Sequence, residues 1–362
     1  MYDYLQTPAV LVELDQAEKN IKAMVELNEK NGIHVRPHIK PHKSVYLSRL
    51  QLELGCRGIT CAKLGEAEVM ADHGITDILV AYPLIGEDKM ERLKKLMDRA
   101  NVATIVNSTT GARQISGAGR SKGEKIRVLI EIDGGLNRGG KKPMEPAVEF
   151  AKEIRDLPGI DIVGLMYYSG VIYAETTMEG FDKATVKEHD DIINTARLME
   201  AAGFKMEILS GGNSYSSKRA QLLKGITEVR PGHFIFNDCG QLASGFATEG
   251  QCCLRVVSTV VCLNDEKHAI IDAGSKTLTT DLCAHRAGYG YVIGRSDIFI
   301  SKLNEEHGFI ESEKPLDLKI GDKIAIIPNH ACVVPNLADE ICGIRNNRIE
   351  RMIKIEARGK NR

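Results

Sequence analysis

Between residues 33 and 232 the chain alternates short apolar runs of β type with longer stretches whose apolar residues recur at helical spacing. The runs are IHVRPHI, RGITCAK, DILVAYP, VATIVNS, IRVLIEID, IDIVGLMYY, KMEILSGG and ITEVRPG. A helical crossover returns the chain to the same end of the sheet, so successive strands must run parallel. Eight strand-then-helix units over this length predict an α/β fold, a TIM (β/α)8 barrel, with an open doubly wound sheet as the rival. The texture changes after Phe234. LRVVSTVVCLNDEKHAIIDAGS, YGYVIGRSDIFISKLNEEHGFI and DKIAIIP alternate apolar and polar residues between tight turns, which predicts a C-terminal antiparallel β domain. The early run AVLVEL reads as a strand of that second domain. The expected organisation is a barrel over 15–233 and a β domain formed by 1–14 plus 234–362.

Composition narrows the partner. Of 362 residues, Lys+Arg and Asp+Glu nearly cancel to a net charge of -1, and no long run of one sign occurs, so nothing marks a nucleic-acid or anionic-membrane surface. A small molecule is the expected partner. MYDYLQTPAVLVELDQ carries acids where a signal peptide carries a basic segment, and no apolar run reaches the roughly 18–20 residues of a bilayer span, so a cytoplasmic protein is expected. Nine cysteines without a CxxC read as small buried hydrophobes in a reducing compartment.

In a TIM barrel the active site gathers at the C-terminal ends of the strands. Those ends carry Lys40, Cys61, Lys63, Tyr82, Asn107, Asp133, Arg138, Tyr168, Ser169, the run Ser210 to Ser214, and Arg230. In HVRPHIKPHKSVYL, Pro37 and Pro41 push the residues before them toward extended backbone. On a strand His34, Arg36, His38 and Lys40 then share one face. A partly buried lysine amine among cations loses proton affinity and becomes a nucleophile toward an aldehyde, so Lys40 is a candidate for covalent cofactor attachment; a basic surface turn is the plain alternative.

LSGGNSYSSK follows the seventh run, and its paired glycines let backbone N–H groups approach an anion. EIDGGLNRGG places Arg138 in a glycine-rich loop, where its planar fork suits a carboxylate or a cofactor oxygen. In IIPNHACVVPNL, Pro328 and Pro335 argue against helix on both sides, so His330 and Cys332 are expected to be extended and to face the same way. An imidazole and a thiolate suit an open Zn²⁺ site; a buried cysteine beside a satisfied histidine is the alternative.

TPAVLVELD, VRPHIKPHKS, ITCAKLGEAEVMADHGITDILVAYPL, IEIDGGLNRGG, LSGGNS, TEVRPGHFIFND, DAGSKTLTTD and IPNHACVVPNL, in this order, resemble the D-threonine aldolase and D-serine dehydratase family. The resemblance implies an alanine-racemase-like pyridoxal-phosphate enzyme, with an N-terminal TIM barrel, a C-terminal β domain and a homodimer. It implies that Lys40, rather than Lys43, bears the cofactor. Gly211, Gly212, Asn213 and Ser214 would grip its phosphate, Tyr168 would lie near its ring nitrogen, and His330 and Cys332 would hold a divalent metal, Zn²⁺ ahead of Mn²⁺. Two positions depart from or divide the family. Relatives commonly carry a histidine where this chain has Val171, and the His-x-Cys pair resembles the dehydratase branch where aldolases more often show His-x-Asp. The implied activity is therefore a lyase on D-β-hydroxy amino acids, of dehydratase type ahead of aldolase type. A racemase on the same scaffold and a non-catalytic pyridoxal-phosphate-binding protein stay open.

Overall fold

The structure, a computed structural model, describes Tyr2 and residues 4–362. All eight expected runs form strands of one parallel sheet, namely His34–Val35, Ile59–Cys61, Asp77–Val80, Asn101–Val106, Ile126–Ile132, Ile160–Tyr167, Ile208–Gly211 and Glu228–Val229. Their order across the sheet is first, eighth, seventh and so on down to the second. The two edges are joined as well. Arg57 N–H donates to Val35 O (2.8 Å), Thr60 N–H to Pro37 O (2.8 Å) and Ile39 N–H to Thr60 O (2.9 Å), and His38 bridges Thr60 in parallel register. The result is a TIM-like sheet.

Strand periodicity decides what faces what. Ile33, Val35, Pro37 and Ile39 are buried, while His34, Arg36, His38 and Lys40 between them are only partly so, as the period of two requires. Leu79, Ile105, Leu129, Val163 and Met166 pack into one apolar cluster. Two residues further along their strands, Ala81, Asn107 and Glu131 share the same face, one layer nearer the C-terminal ends. Burying each large aliphatic side chain contributes about 1.5–3 kcal/mol, so the apolar layer fixes the register on which the polar layer depends.

The strict strand-then-helix rhythm fails at the end of the sheet. The stretch after the seventh strand is a 3-10 segment, Ser216–Leu222, with Arg219 in a non-helical conformation, and the short turn His233–Ile235 follows the eighth. Asn213 Oδ1 accepts the N–H groups of Tyr215 (2.8 Å) and Ser216 (3.2 Å), an Asx-type interaction that competes with a regular helical start.

The second sheet has nine strands. Its pairings are antiparallel except one: Ala9–Glu13 lies antiparallel to Leu254–Leu263 on one side and parallel to Glu340–Arg345 on the other. The expected antiparallel β domain is therefore present, with one parallel pairing where a strand from the N-terminal end enters between two from the C-terminal region. Tyr2, Leu5, Ala9, Leu11, Val257, Cys342 and Ile344 form a core cluster on it.

The chain divides into two compact units. One comprises the residues up to Lys22, Pro41–Leu47 and His233–Arg358; the other comprises Ala23–Lys40, Ser48–Gly232 and Gly359–Arg362. Among the described residues no helix is long and apolar enough to cross a membrane.

Candidate active site

In the parallel-sheet unit, Lys40 ends the first strand segment. Its Nζ lies 5.8 Å from the centroid of the Tyr168 ring, and the Arg138 guanidinium carbon lies 4.7 Å from the same centroid. Residues 40, 138 and 168, far apart in the chain, thus meet around one aromatic ring. Lys40 and Arg138 line a cavity of about 770 Å³ together with Asn107, Glu131, Lys63 and Tyr82, a size suited to a small molecule. Lys43 lies in the other unit, buried with φ 49°, and its carbonyl accepts the N–H of Ala357.

Glu131 is a site residue that strand-end reading passes over, since it lies one turn of the pleat before Asp133. Burial raises its carboxyl above the usual range, against the hydrogen bond from Asn107 Nδ2 (2.7 Å) and the attraction of Arg138. Gly139 allows the loop to come this close: a Cβ there would stand 3.2 Å from Glu131 Oε2 and 3.3 Å from Asn107 Nδ2. Asp133, by contrast, is a loop brace. Its Oδ1 accepts the N–H groups of Gly135 (3.0 Å) and Asn137 (3.1 Å), and its Oδ2 accepts from Lys142 Nζ (2.7 Å).

The turn Gly211 to Ser214 does not line the cavity, but it is tied to Tyr168. Asn213 Nδ2 donates to Ser169 O (3.1 Å). Buried Arg230 donates to Tyr167 O (2.6 Å) and to Gly211 O (3.3 Å), holding the ends of the sixth and seventh strands together. Gly212 has φ +72°, and a Cβ there would stand 2.4 Å from Val229 Cγ1, so no side chain fits. Two of the turn's donors are already used: Gly212 N–H reaches Glu188 Oε1 (2.7 Å) and Asn213 N–H reaches Ser216 Oγ (3.0 Å). Burial raises the Glu188 carboxyl despite its hydrogen bonds with the Ser216 side chain and Gly212 N–H. Ser217 Oγ, against the same turn, is buried without a hydrogen-bond partner. A buried hydroxyl with nothing to bond costs about 1–3 kcal/mol, and an anion at the turn would satisfy it. Val171 is exposed in the 3-10 segment Gly170–Ala174 and offers no proton-transfer group.

The second constellation lies in the β-sheet unit. His330 and Cys332 are not extended. They sit in a turn after the strand Lys323–Ile327 that leads directly into the 3-10 helix Val334–Leu337. Pro335 does not block that helix because it stands near its start, where a missing N–H costs nothing. The pair nonetheless meets, and a third ligand type joins it: donor atoms of His233, His330 and Cys332 all lie within 4.8 Å of one another. The two imidazole rings stand edge to face, 5.3 Å apart.

Asp238 supports this cluster from beneath, 2% exposed. Its Oδ2 accepts from His330 Nδ1 (3.1 Å) and from Ala331 N–H (3.2 Å), lies 4.0 Å from His233 Nε2, and its Oδ1 caps the short helix Cys239–Ala243 through Gln241 N–H (3.2 Å). Burial works against its charge, but both imidazoles hold the carboxyl well below the ordinary range. Burial likewise opposes the Cys332 thiolate, and the charge and hydrogen bonds of His330 and His233 prevail, bringing the thiol down to about 5. His330 is raised well above its usual value, chiefly by Cys332 and against burial. The two imidazoles therefore favour the thiolate form of Cys332, the form in which a cysteine binds a metal. Local spacing signals only His330 and Cys332; His233 is invisible to it, and its one sequence signal is the place of RPGHF at the end of the eighth strand.

Comparison with known proteins agrees with this architecture. Residues 12–239 match the family model described as "Alanine racemase, N-terminal domain", and residues 253–344 match that described as "Putative serine dehydratase domain". A 3-hydroxy-D-aspartate aldolase of Paracoccus denitrificans is 31% identical over 98% of this chain and 93% of its own. A D-threo-3-hydroxyaspartate dehydratase of a Delftia species is 30% identical over 91% of each chain. A dehydratase of that name has been solved as a cysteine-to-alanine mutant in the metal-free form, which superposes with TM-score 0.90 at 27% identity over 98% of each chain. The D-threonine aldolase of Filomicrobium marinum superposes with TM-score 0.91 at 28% identity, covering 99% of this chain and 98% of its own. The chain belongs to the alanine-racemase-like D-threonine aldolase and D-serine dehydratase family of lyases.

Proposed function

We propose that the protein is a pyridoxal-phosphate- and metal-dependent D-β-hydroxy amino acid dehydratase, releasing a keto acid and ammonia. The observation that carries this reading is the meeting of the Lys40 amine and the Arg138 guanidinium over the Tyr168 ring at the strand ends. The residues fit the cofactor: Lys40 supplies the only amine the family motif points to, and the Gly211 to Ser214 turn, with the unsatisfied Ser217 hydroxyl beside it, suits a phosphate. Pyridoxal phosphate, when bound, supplies an electron sink for the bonds at the substrate Cα.

The remaining work falls to side chains of this chain. Lys40 Nζ would hold the cofactor and would serve as the base for a proton at the substrate Cα. Arg138 pairs with a carboxylate or a cofactor oxygen through its planar fork, and Tyr168 presents its ring and hydroxyl beside it. Asn107 and Glu131 close the cavity around these groups. His330 and Cys332 would hold a divalent metal, with thiolate favouring Zn²⁺ over Mn²⁺, and such an ion supplies Lewis acidity for loss of a β-hydroxyl.

Retro-aldol cleavage instead needs a base at the β-hydroxyl, and Val171 cannot be one. The dehydratase solved with its cysteine mutated was also solved with a histidine mutated two positions earlier, the spacing of His330 and Cys332. The aldolase reading keeps a specific support, the 31% identity to a hydroxyaspartate aldolase. The deciding experiment loads the purified enzyme with cofactor and Zn²⁺ or Mn²⁺ and offers D-serine, D-threonine, D-allothreonine and D-3-hydroxyaspartate. Keto acid with ammonia supports dehydration, glycine with an aldehyde replaces it by cleavage, and racemisation alone rejects both. We infer a homodimer, which light scattering on the eluting protein tests.

A further inference from the structure

We propose that His233 is a third protein ligand of the divalent metal, so that this chain builds a His-His-Cys site and not the His-x-Cys pair alone. This rests on the metal-dependent reading above. The resemblance assigns only His330 and Cys332. His233 arrives from a different segment, the 3-10 turn His233–Ile235, and is 3% exposed, against a partly open His330 and Cys332.

Three features distinguish His233 from an ordinary buried histidine. Its donor nitrogen shares a 4.8 Å sphere of mutual approach with the His330 nitrogen and the Cys332 sulfur. Ligands about 2.0–2.3 Å from one tetrahedral ion stand roughly 3.5 Å apart, so the cluster needs a contraction of roughly 1.3 Å at most between its furthest atoms. Second, the ring stands edge to face against the His330 imidazole, 5.3 Å between centroids, with the Asp238 carboxylate 4.0 Å from its Nε2. Third, the outer support is already built. Asp238 engages His330 Nδ1, which leaves Nε2 for an ion, and it is itself anchored by Ala331 and Gln241 N–H groups. A carboxylate behind a ligating imidazole is the usual way proteins fix ring orientation and ligand basicity.

The consequence is chemical. Two protein ligands on a four-coordinate ion leave two positions to water or substrate, whereas three leave one, the arrangement of catalytic zinc sites. Two imidazoles with a thiolate also favour Zn²⁺ or Co²⁺ over Mn²⁺ or Mg²⁺ more strongly than the pair does.

The test is X-ray absorption spectroscopy on the full-length, Zn²⁺-loaded protein, joined to Zn²⁺ affinity by competition with a chromophoric chelator. Two imidazoles and one sulfur per zinc are expected. His233→Gln and His233→Asn should each lose one imidazole and bind Zn²⁺ about 100-fold more weakly, with circular dichroism unchanged. One imidazole and one sulfur in the unmutated protein would overturn the third ligand and leave the His330–Cys332 pair standing. Failure to bind one zinc per chain would overturn the metal-dependent reading and this inference together. Because the ligand count is taken on the unmutated protein, it decides the question even if both variants fold poorly.

Discussion

The two constellations of this protein are assembled in opposite ways. Around Tyr168, each group sits at or just beyond the end of its own strand, and the regular order of a parallel sheet brings Lys40, Asn107, Arg138 and Arg230 to one end. Around Cys332 no such order exists. His330 and Cys332 come from a turn, His233 and Asp238 from another segment over ninety residues earlier, and hydrogen bonds to the buried Asp238 carboxylate, with Cys239 N–H donating to Pro328 O (3.1 Å), tie the two segments together. A repeating architecture positions chemistry by register; an irregular one must position it by a specific polar anchor. The first should tolerate change at an individual brace only at the cost of fold stability, and the second should lose its ligand geometry while the fold survives.

Changes at four positions probe that contrast, beginning with the largest effect. Lys40→Ala should lower turnover by about 10⁴-fold or more, at or past the top of the typical 10²–10⁴-fold range of a single acid-base group, because cofactor attachment is lost too. Borohydride reduction followed by peptide mass analysis should find cofactor mass on the peptide holding Lys40 in the unmutated protein. Finding it on Lys43 instead would move the site to the other unit.

Next, Arg230→Met removes a buried guanidinium that donates to Tyr167 O, Gly211 O and Ser210 Oγ (2.5 Å). A loss of about 3–5 kcal/mol in urea unfolding is expected, since breaking a buried charged network strands its partners. A change under about 1 kcal/mol would mean the strand ends need no brace, and the register argument would fail.

In the β-sheet unit the balance should reverse. Asp238→Asn keeps a helix-capping side chain but discards the charge behind His330. Metal affinity should fall about 10- to 100-fold, while the metal-free protein loses less stability than the Arg230 replacement costs. Equal damage to affinity and stability would erase the distinction between the two regions.

The smallest effect concerns Glu188, whose folded carboxyl is raised by burial. Above the unfolded glutamate value the folded state holds its proton more tightly than the unfolded chain does, so stability declines as pH rises from that value through the raised folded one. Glu188→Gln still accepts the Gly212 N–H and should flatten this part of the stability profile, leaving the protein slightly more stable at neutral pH. An unchanged slope in the pH dependence of unfolding would locate the titration elsewhere.

Much of the parallel-sheet site is legible along the chain because its geometry is local. A period of two puts Lys40 on the face of Arg36 and His38 without reference to any other segment, and the burial alternation from Ile33 to Lys40 follows it residue by residue. Glu131 escapes such reading since a strand-end rule looks past it to Asp133, and only the layer it shares with Asn107 reveals which carboxylate faces the cavity.

The sequence by itself determined the order of strands, the change to a second β-rich region after Phe234, the lysine at the first strand end and the His330–Cys332 pair, because each depends on residues a few positions apart. Tertiary structure alone decided that His330 and Cys332 lie in a turn, that Ala9–Glu13 enters the second sheet in parallel with Glu340–Arg345, and that His233 and Asp238 join the metal-type cluster. The physical reason is the same in each case. Backbone periodicity is written into neighbouring residues, whereas the meeting of two irregular segments depends on which buried polar groups must find partners, and that is settled only when the whole unit has folded.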